Sequence, residues 1–531
     1  MGNFGIYFDI MRIQKLNWIR PSKGINLYQA TAIVAFASII GYLISMIKAI
    51  LIAAKFGVGW EMDTFLWVQS FVNLFALTAS GPITSVIIPI YRELKNKGDQ
   101  SEKQFSSSII TILLFLSIIA GLLIFLLFPL FISNFGKGFN LVETKLAREL
   151  FILLSPIIIF SSCWVAIQSI LNGEKHFFIS TLSTSLPPLF VIIFLMLARH
   201  NNAINLQAIA LSIGAFTQFI ILLIIAKKKG LINTPSLNFC APGIITFIKL
   251  IAPLFITQIL ISLLPIIDRI LASRFDVGTI SALGYAQTLM NMIAMLFLVA
   301  MQTAILPYLS DQMASNGREG VKHSLLPALK LIIAFLTPVS VIIYVLSSPL
   351  ITILFQRGQF TPLASSLTKQ AFEPYVLGIV PMALTFICSR GFNAIQDSLS
   401  NAVIGSVFFV TVKIGMNYLL IALFGFSGIA ISNSVAYTVA SIAMLLVLNH
   451  KLNGIDLRGL GVLLVKSLVC AVISGILAKF GYEIGDGNIY FGAILGTFFG
   501  LGGMILISYI LKIKETLSLI TLVVKKLHVA K

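Results

Sequence analysis

Apolar runs of about twenty residues alternate with short polar turns along this chain, and a run of that length carries an α-helix across a hydrocarbon layer. Taken in order, the runs predict fourteen spans. The first six lie near 30–54, 64–90, 107–133, 147–171, 178–198 and 205–226. The next six lie near 244–272, 281–307, 326–348, 371–389, 401–423 and 427–449, and the last two near 460–480 and 489–511. The expected fold is an all-α polytopic membrane protein.

One stretch of the pattern is written twice. Lys55-Phe56-Gly57-Val58-Gly59 leads through Gln69 and Asn73 to Pro89-Ile90-Tyr91, and Arg274-Phe275-Asp276-Val277-Gly278 leads through Gln287 and Asn291 to Pro307-Tyr308. Each copy reads as a helix end, a polar turn, then a second helix broken near its Pro. Span seven therefore corresponds to span one. The plan becomes an interfacial arm (1–26), a six-span lobe (27–230), a second six-span lobe (231–450) and two appended spans with a basic tail (451–531). Duplication in an apolar chain marks a transporter of two pseudo-symmetric bundles, with the substrate site between them.

Composition fits the same reading. Hydrophobic residues make up 58% of the 531 positions and charged residues 11%, against about 25% charged in soluble chains. The solvent is a lipid bilayer. The net charge of +18 is topology, not a nucleic-acid footprint, because basic residues gather in loops kept in the cytoplasm. Arg92, Lys95, Lys97 and Lys103 follow span two, Lys227–Lys229 span six, Arg318 and Lys322 span eight, Lys451 and Arg458 span twelve, and Lys512, Lys514, Lys525 and Lys526 span fourteen. All fall on the side of the basic N-terminal arm, which places both termini in the cytoplasm. That arm mixes Phe4, Ile6, Phe8 and Trp18 with Arg12, Lys15 and Arg20, as a helix lying on a membrane surface does. The run from Leu27 to Ala54 is too long for a secretory h-region and reads as an uncleaved first span.

Candidate chemistry is sparse. Cys163, Cys240, Cys388 and Cys470 are scattered in or beside apolar runs and read as buried small hydrophobes. The histidines (His176, His200, His323, His450, His528) sit at span ends or in loops. There is no phosphate-binding loop, no HExxH and no paired Cys or His cluster, so no cofactor is expected and an enzyme is not indicated. Charges inside spans are the sharper signal, since each costs roughly 2.5–3.5 kcal/mol to insert at a helix centre and usually faces a wet cavity or a partner. Lys48 and Arg269, at matching places in the repeat, are expected to face a cavity. Asp268 points about 100° away from Arg269 around the helix and is expected to anchor a neighbouring span. Lys413, Glu373, Arg390 and Asp397 are expected to be structural.

These residues bring a family into view. Phe56-Gly57-Val58-Gly59-Trp60-Glu61-Met62-Asp63-Thr64-Phe65 resembles the FGxGxxxDAF signature of the MurJ/MviN family of lipid II flippases. Leu354-Phe355-Gln356-Arg357-Gly358-Gln359-Phe360-Thr361 is similar to that family's LFqrGxFt turn, and Gly391-Phe392-Asn393-Ala394-Ile395-Gln396-Asp397 to its GFyArqD turn. The resemblance implies a bacterial inner-membrane flippase for an undecaprenyl-diphosphate-linked glycan, most of all lipid II, working by alternating access. It also implies a cavity lined by arginines from spans one, two and eight. Here those places hold Tyr42 and Lys48, Ala76, and Gln287-Thr288, so only Lys48 keeps its charge and Arg269 is the candidate substitute. The candidate substrate-binding set is Lys48, Arg269, Asp268, Asp63, Gln287, Asn73 and Asn291, with no metal. Expected partners are the lipid-linked glycan, the bilayer, a coupling ion or the membrane potential, and cell-wall synthesis enzymes. A flippase for another surface glycan, a small-molecule efflux pump and a non-transporting scaffold are the alternatives.

The topology has a direct test. In a background lacking the four native cysteines, Gly59→Cys should be labelled by an impermeant thiol reagent in intact cells. Lys228→Cys should stay protected until the cells are opened, and the reverse pattern would overturn the span plan.

Overall fold

A computed structural model describes residues 27–136, 138–198, 203–485 and 487–517. The expected amphipathic arm, Lys137, His200 and the tail residues Lys525, Lys526 and His528 lie outside the described residues. Helices carry the described chain, with no strand among the described residues. The first lobe comprises α1 (Leu27–Phe56), α2 (Trp60–Thr78), α3 (Ser80–Lys97), α4 (Ser101–Phe135), α5 (Leu141–Leu154), α6 (Pro156–Gly173), α7 (Phe177–Ser183), α8 (Leu186–Leu197) and α9 (Ala203–Lys228). The second comprises α10 (Ile244–Ala272), α11 (Thr279–Val345), α12 (Ser347–Phe355), α13 (Pro362–Leu377), α14 (Ile379–Ala394), α15 (Ser398–Ala402), a π-turn at Val403–Phe408, α16 (Phe409–Phe424) and α17 (Ser427–Lys451). Two further helices, α18 (Leu457–Ile484) and α19 (Ile489–Ile510), pack on each other and on α11.

Several predicted spans are bent pairs, and the sequence explains where. Pro156 opens α6 just after Ser155, and Pro187 sits in the first turn of α8, where a residue without an N–H is tolerated. The break expected at Pro89 is instead at Thr78–Ser80. Pro89 lies inside α3, and it is Pro82, in the first turn of α3, that marks the new start. Between α13 and α14 the axis turns by 43° at Gly378. The carbonyl of Pro374 at that bend accepts from Ser434 Oγ at 2.6 Å, so a backbone group released inside the membrane keeps a partner.

By length and apolarity, twelve helices among the described residues can cross a bilayer, thirteen with the bent pair α13–α14 counted as one. The expected fourteen is not reached by that measure. The missing member is the span predicted at 281–307, which forms the first limb of the 67-residue run α11. An unbroken helix of that length would reach about 100 Å, roughly three times the hydrocarbon layer. The run is divided at Gly317, where φ is 60° and ψ −150°.

Polar contacts between loops sort the ends of the helices into two faces. On one face, Gln359 N–H donates to Ala54 O at 2.9 Å, Lys55 Nζ to Ala198 O at 2.7 Å and Tyr285 Oη to Gly57 O at 2.9 Å. On the other, Tyr91 Oη donates to Glu174 Oε1 at 3.0 Å, Lys95 pairs with Glu174, Lys451 pairs with Asp397, and Arg318 reaches Lys451 O at 3.4 Å. Burial would raise the pKa of Asp397, but Lys451 and the Ser400 N–H hold it below its ordinary value. The expectation for the cysteines needs one correction. Cys163, Cys388 and Cys470 are buried, whereas Cys240 is exposed in the loop before α10.

The first face is closed by an interlock of backbones. Gly57 and Gly358 both have φ near +59°. A Cβ on Gly57 would lie 2.2 Å from Gln359 O, and one on Gly358 would lie 2.2 Å from Ala54 O. Gly57→Ala and Gly358→Ala should each lower stability by about 1–2 kcal/mol from left-handed strain alone, with the collision added. Gly59→Ala, whose Cβ would meet nothing within 4 Å, is the control. Thermal unfolding of the purified protein in detergent checks this: equal midpoints for Gly358→Ala and Gly59→Ala would show that the interlock is loose.

Candidate functional site

The two repeat copies meet at Asp63. Its side chain enters from the first turn of α2 and is almost fully buried, with 6% exposed. Oδ2 accepts from Gly278 N–H at 2.6 Å and Oδ1 from Ser281 N–H at 2.7 Å. These are free donors at the start of α11, and a carboxylate there is stabilised by the helix dipole as well. Gly278 has φ +97°, and a Cβ there would lie 2.5 Å from Val58 Cγ1. Asp63, expected among the substrate ligands, is thus occupied in closing one lobe on the other.

Beneath this contact lies a cavity of about 90 Å³. Lys48 of α1 and Gln69 of α2 reach it from the first lobe, Gly284, Tyr285 and Thr288 of α11 reach it from the second, and Gln207 of α9 closes one wall. Lys48 makes no hydrogen bond or ion pair with any described residue. It is a bare ammonium facing an interlobe space. Intramembrane charge without a protein partner belongs where water or an anionic ligand can reach it.

Arg269 is not in that cavity. It shares a separate, smaller pocket with Asp268, Gln287 and Tyr375, and its Nη1 donates to Ile280 O at 2.6 Å. Gly284 makes room for it. A Cβ at Gly284 would lie 3.2 and 3.3 Å from the guanidinium nitrogens and 2.6 Å from Leu66 Cδ1. Lys48 and Arg269, both expected to face a cavity, thus line two different ones, with Gly284 and Leu66 in the lining of the first.

Asp268 turns away from Arg269. Its Oδ2 lies 3.0 Å from Lys413 Nζ on α16, close enough to pair the charges though out of line for a hydrogen bond. Its Oδ1 accepts from Asn417 Nδ2 at 3.0 Å, and Ser432 Oγ on α17 closes the chain onto Asn417. Three spans are pinned by one polar cluster inside the membrane. Asn73 is half-buried and Asn291 exposed, and neither lines these two cavities. Gln69, read as the repeat position matching Gln287, and Gln207 were not among the expected site residues. The only signal Gln207 gave was an uncharged amide within an otherwise apolar run.

A family model described as "Lipid II flippase MurJ" matches residues 52–484. The chain belongs to the lipid II flippase MurJ family. It is similar to a "Probable lipid II flippase MurJ" of Buchnera aphidicola, with 27% identity over 77% of this chain and 81% of the relative. It is also similar to a "Lipid II flippase MurJ" of Burkholderia cenocepacia, with 26% identity over 80% and 84%. A solved structure, "Lipid II flippase MurJ, inward closed conformation", shares the fold with a TM-score of 0.76 and 23% identity, covering 90% of this chain and 98% of that one. Like its helices, the chain's family marks it as a multi-span membrane protein.

The Asp268–Lys413 cluster generates a stability prediction. Lys413→Met leaves a mostly buried intramembrane carboxylate without its counter-charge and should cost up to about 3–5 kcal/mol. Asp268→Asn with Lys413→Met removes both charges and should recover most of that loss. Unfolding of the native protein and the two variants in detergent checks it, and a single variant as stable as the double would show that the pair does not hold the spans.

Proposed function

We propose that this chain flips an undecaprenyl-diphosphate-linked glycan, lipid II, from the inner to the outer leaflet of the bacterial cytoplasmic membrane. The observation that carries the reading is the unpaired Lys48 ammonium in a cavity lined by both lobes beneath a closed face. Its membership of the MurJ family supplies the substrate class. The diphosphate meets Lys48 while the polyprenyl tail stays in lipid. Release follows when the Asp63 contact opens and the opposite face closes, the rocking of two lobes about their repeat interface.

Both termini are cytoplasmic on this reading, supported by the placing of basic loops. The first limb of α11 is the remaining span of a fourteen-span plan. Its support is that Ser281 bonds on one face and Arg318 on the other. The membrane potential favours an anion leaving an inside-negative cell by roughly 2.3 kcal/mol per charge per 100 mV, so a diphosphate gains from its own charge. One Lys gives a point charge where a set of arginines gives bidentate forks. That thinning of the cavity is the observation favouring a different lipid-linked glycan as a second reading.

Lys48→Ala should abolish flipping in proteoliposomes without loss of membrane insertion, and Lys48→Arg should retain most activity. Normal transport by Lys48→Ala would remove the phosphate from this cavity.

A further inference from the structure

Asp63 fixes the closed register, yet it does not line the Lys48 cavity, so nothing held there touches it. Among the described residues that line that cavity, Tyr285 alone hydrogen-bonds to the opposite lobe, its hydroxyl donating to Gly57 O at 2.9 Å. A tyrosine suits such a place, with an apolar body for the wall and a polar tip for the bond.

The ring of Tyr285 is tied to the rest of the closure as well. Its centroid lies 5.7 Å from that of Phe355 at the end of α12 and 5.4 Å from that of Phe360 in the turn before α13. Phe360 follows Gln359, whose N–H donates to Ala54 O. One side chain thus reaches both parts of the backbone interlock, Gly57 through its hydroxyl and the turn that grips Ala54 through its ring. With only 4% of Tyr285 exposed, a packed ring does not shift without moving what it touches. Pushing it from the cavity side draws the hydroxyl off Gly57 or the turn off Ala54. Exterior water then reaches the freed carbonyl, so neither move strands a backbone group.

A ligand shifts a conformational balance only through contacts that differ between the two states, and Tyr285 provides such a contact. We propose that Tyr285 is a positioning residue that couples occupancy of the Lys48 cavity to the exterior closure. An anion that displaces the ring loosens the closure, and an empty cavity leaves it bolted. Asp63 sets where the lobes meet, and Tyr285 sets when they part. The inference rests on the flippase reading above, which supplies the anion.

Intact cells carrying Ile52→Cys test it. Ile52 lines the cavity and is buried. Cys163, fully buried in the first lobe, is kept as an internal control, and the other native cysteines are removed. Tyr285→Phe keeps the ring and removes only the hydroxyl. It should speed labelling of Ile52→Cys by an impermeant thiol reagent about three- to tenfold, with Cys163 unlabelled. Lys48→Ala should slow that labelling several-fold where Tyr285 is present and change it little beside Tyr285→Phe, because cavity and closure are then uncoupled. Unchanged labelling in Tyr285→Phe, labelling of Cys163 alongside, or an equal effect of Lys48→Ala in both backgrounds overturns the inference. Flipping in proteoliposomes separates that failure from one of the reading beneath it. Lys48→Ala stays inactive there if only the inference is wrong, and transports normally if the anion never meets Lys48.

Discussion

A single buried carboxylate holds the two halves of this molecule in register. Asp63 offers both oxygens to the first amides of α11, and a hydrogen bond to a charged group contributes about 1.5–3 kcal/mol. Apolar surface sticks to apolar surface in many registers, whereas two lone-pair directions on two N–H groups define one. The glycines at 57, 278 and 358 are there because the backbones must come that close. Since α11 also lends Gly284, Tyr285 and Thr288 to the cavity wall, any movement of its first turn off Asp63 also moves one side of that cavity.

The remaining intramembrane polar groups divide by whether the protein itself completes them. Asp268, Lys413, Asn417 and Ser432 complete one another and tie α10, α16 and α17 together. Arg269 is completed by a backbone carbonyl. Lys48 is left open in its cavity, and buried uncharged atoms elsewhere, Trp67 Nε1, Gln207 Oε1 and Gln218 Nε2 among them, also lack a hydrogen-bond partner among the described residues. In a bilayer, where a stranded polar group has no water to fall back on, a charge left without a protein partner marks a space that water or an anion can reach.

Most of the architecture was legible because apolar length is a one-dimensional property. The rough placing of most spans followed from it, though not the breaks inside them at Ser155, Thr184–Ser185 and Gly378. The divided run α11 was not, because hydropathy does not register a backbone turned at Gly317. For the site, the 100° step between consecutive helical residues was enough to send Asp268 and Arg269 to different neighbours. It could not show that Arg269 and Lys48 would line two separate cavities. Asp63 looked like a ligand because its signature marks it, yet its partners are amides 215 and 218 positions away, which local sequence does not contain. Gln207 carries no charge to draw notice in α9, and Asn205 and Gln218 on the same helix also have a buried amide atom without a partner among the described residues, so nothing local singles it out.

The Asp268 cluster also bears on how the protein is made. Asn417 is 149 residues downstream of the carboxylate it bonds, and Lys413 emerges with it. At about 5–20 residues per second, the ribosome needs of the order of 7–30 s to deliver those partners. Throughout that interval α10 has been synthesised with an acidic side chain whose neutralising lysine does not yet exist. It has to wait at the insertion machinery or against another early helix, so the second lobe is assembled as a group of spans and not released into lipid one helix at a time.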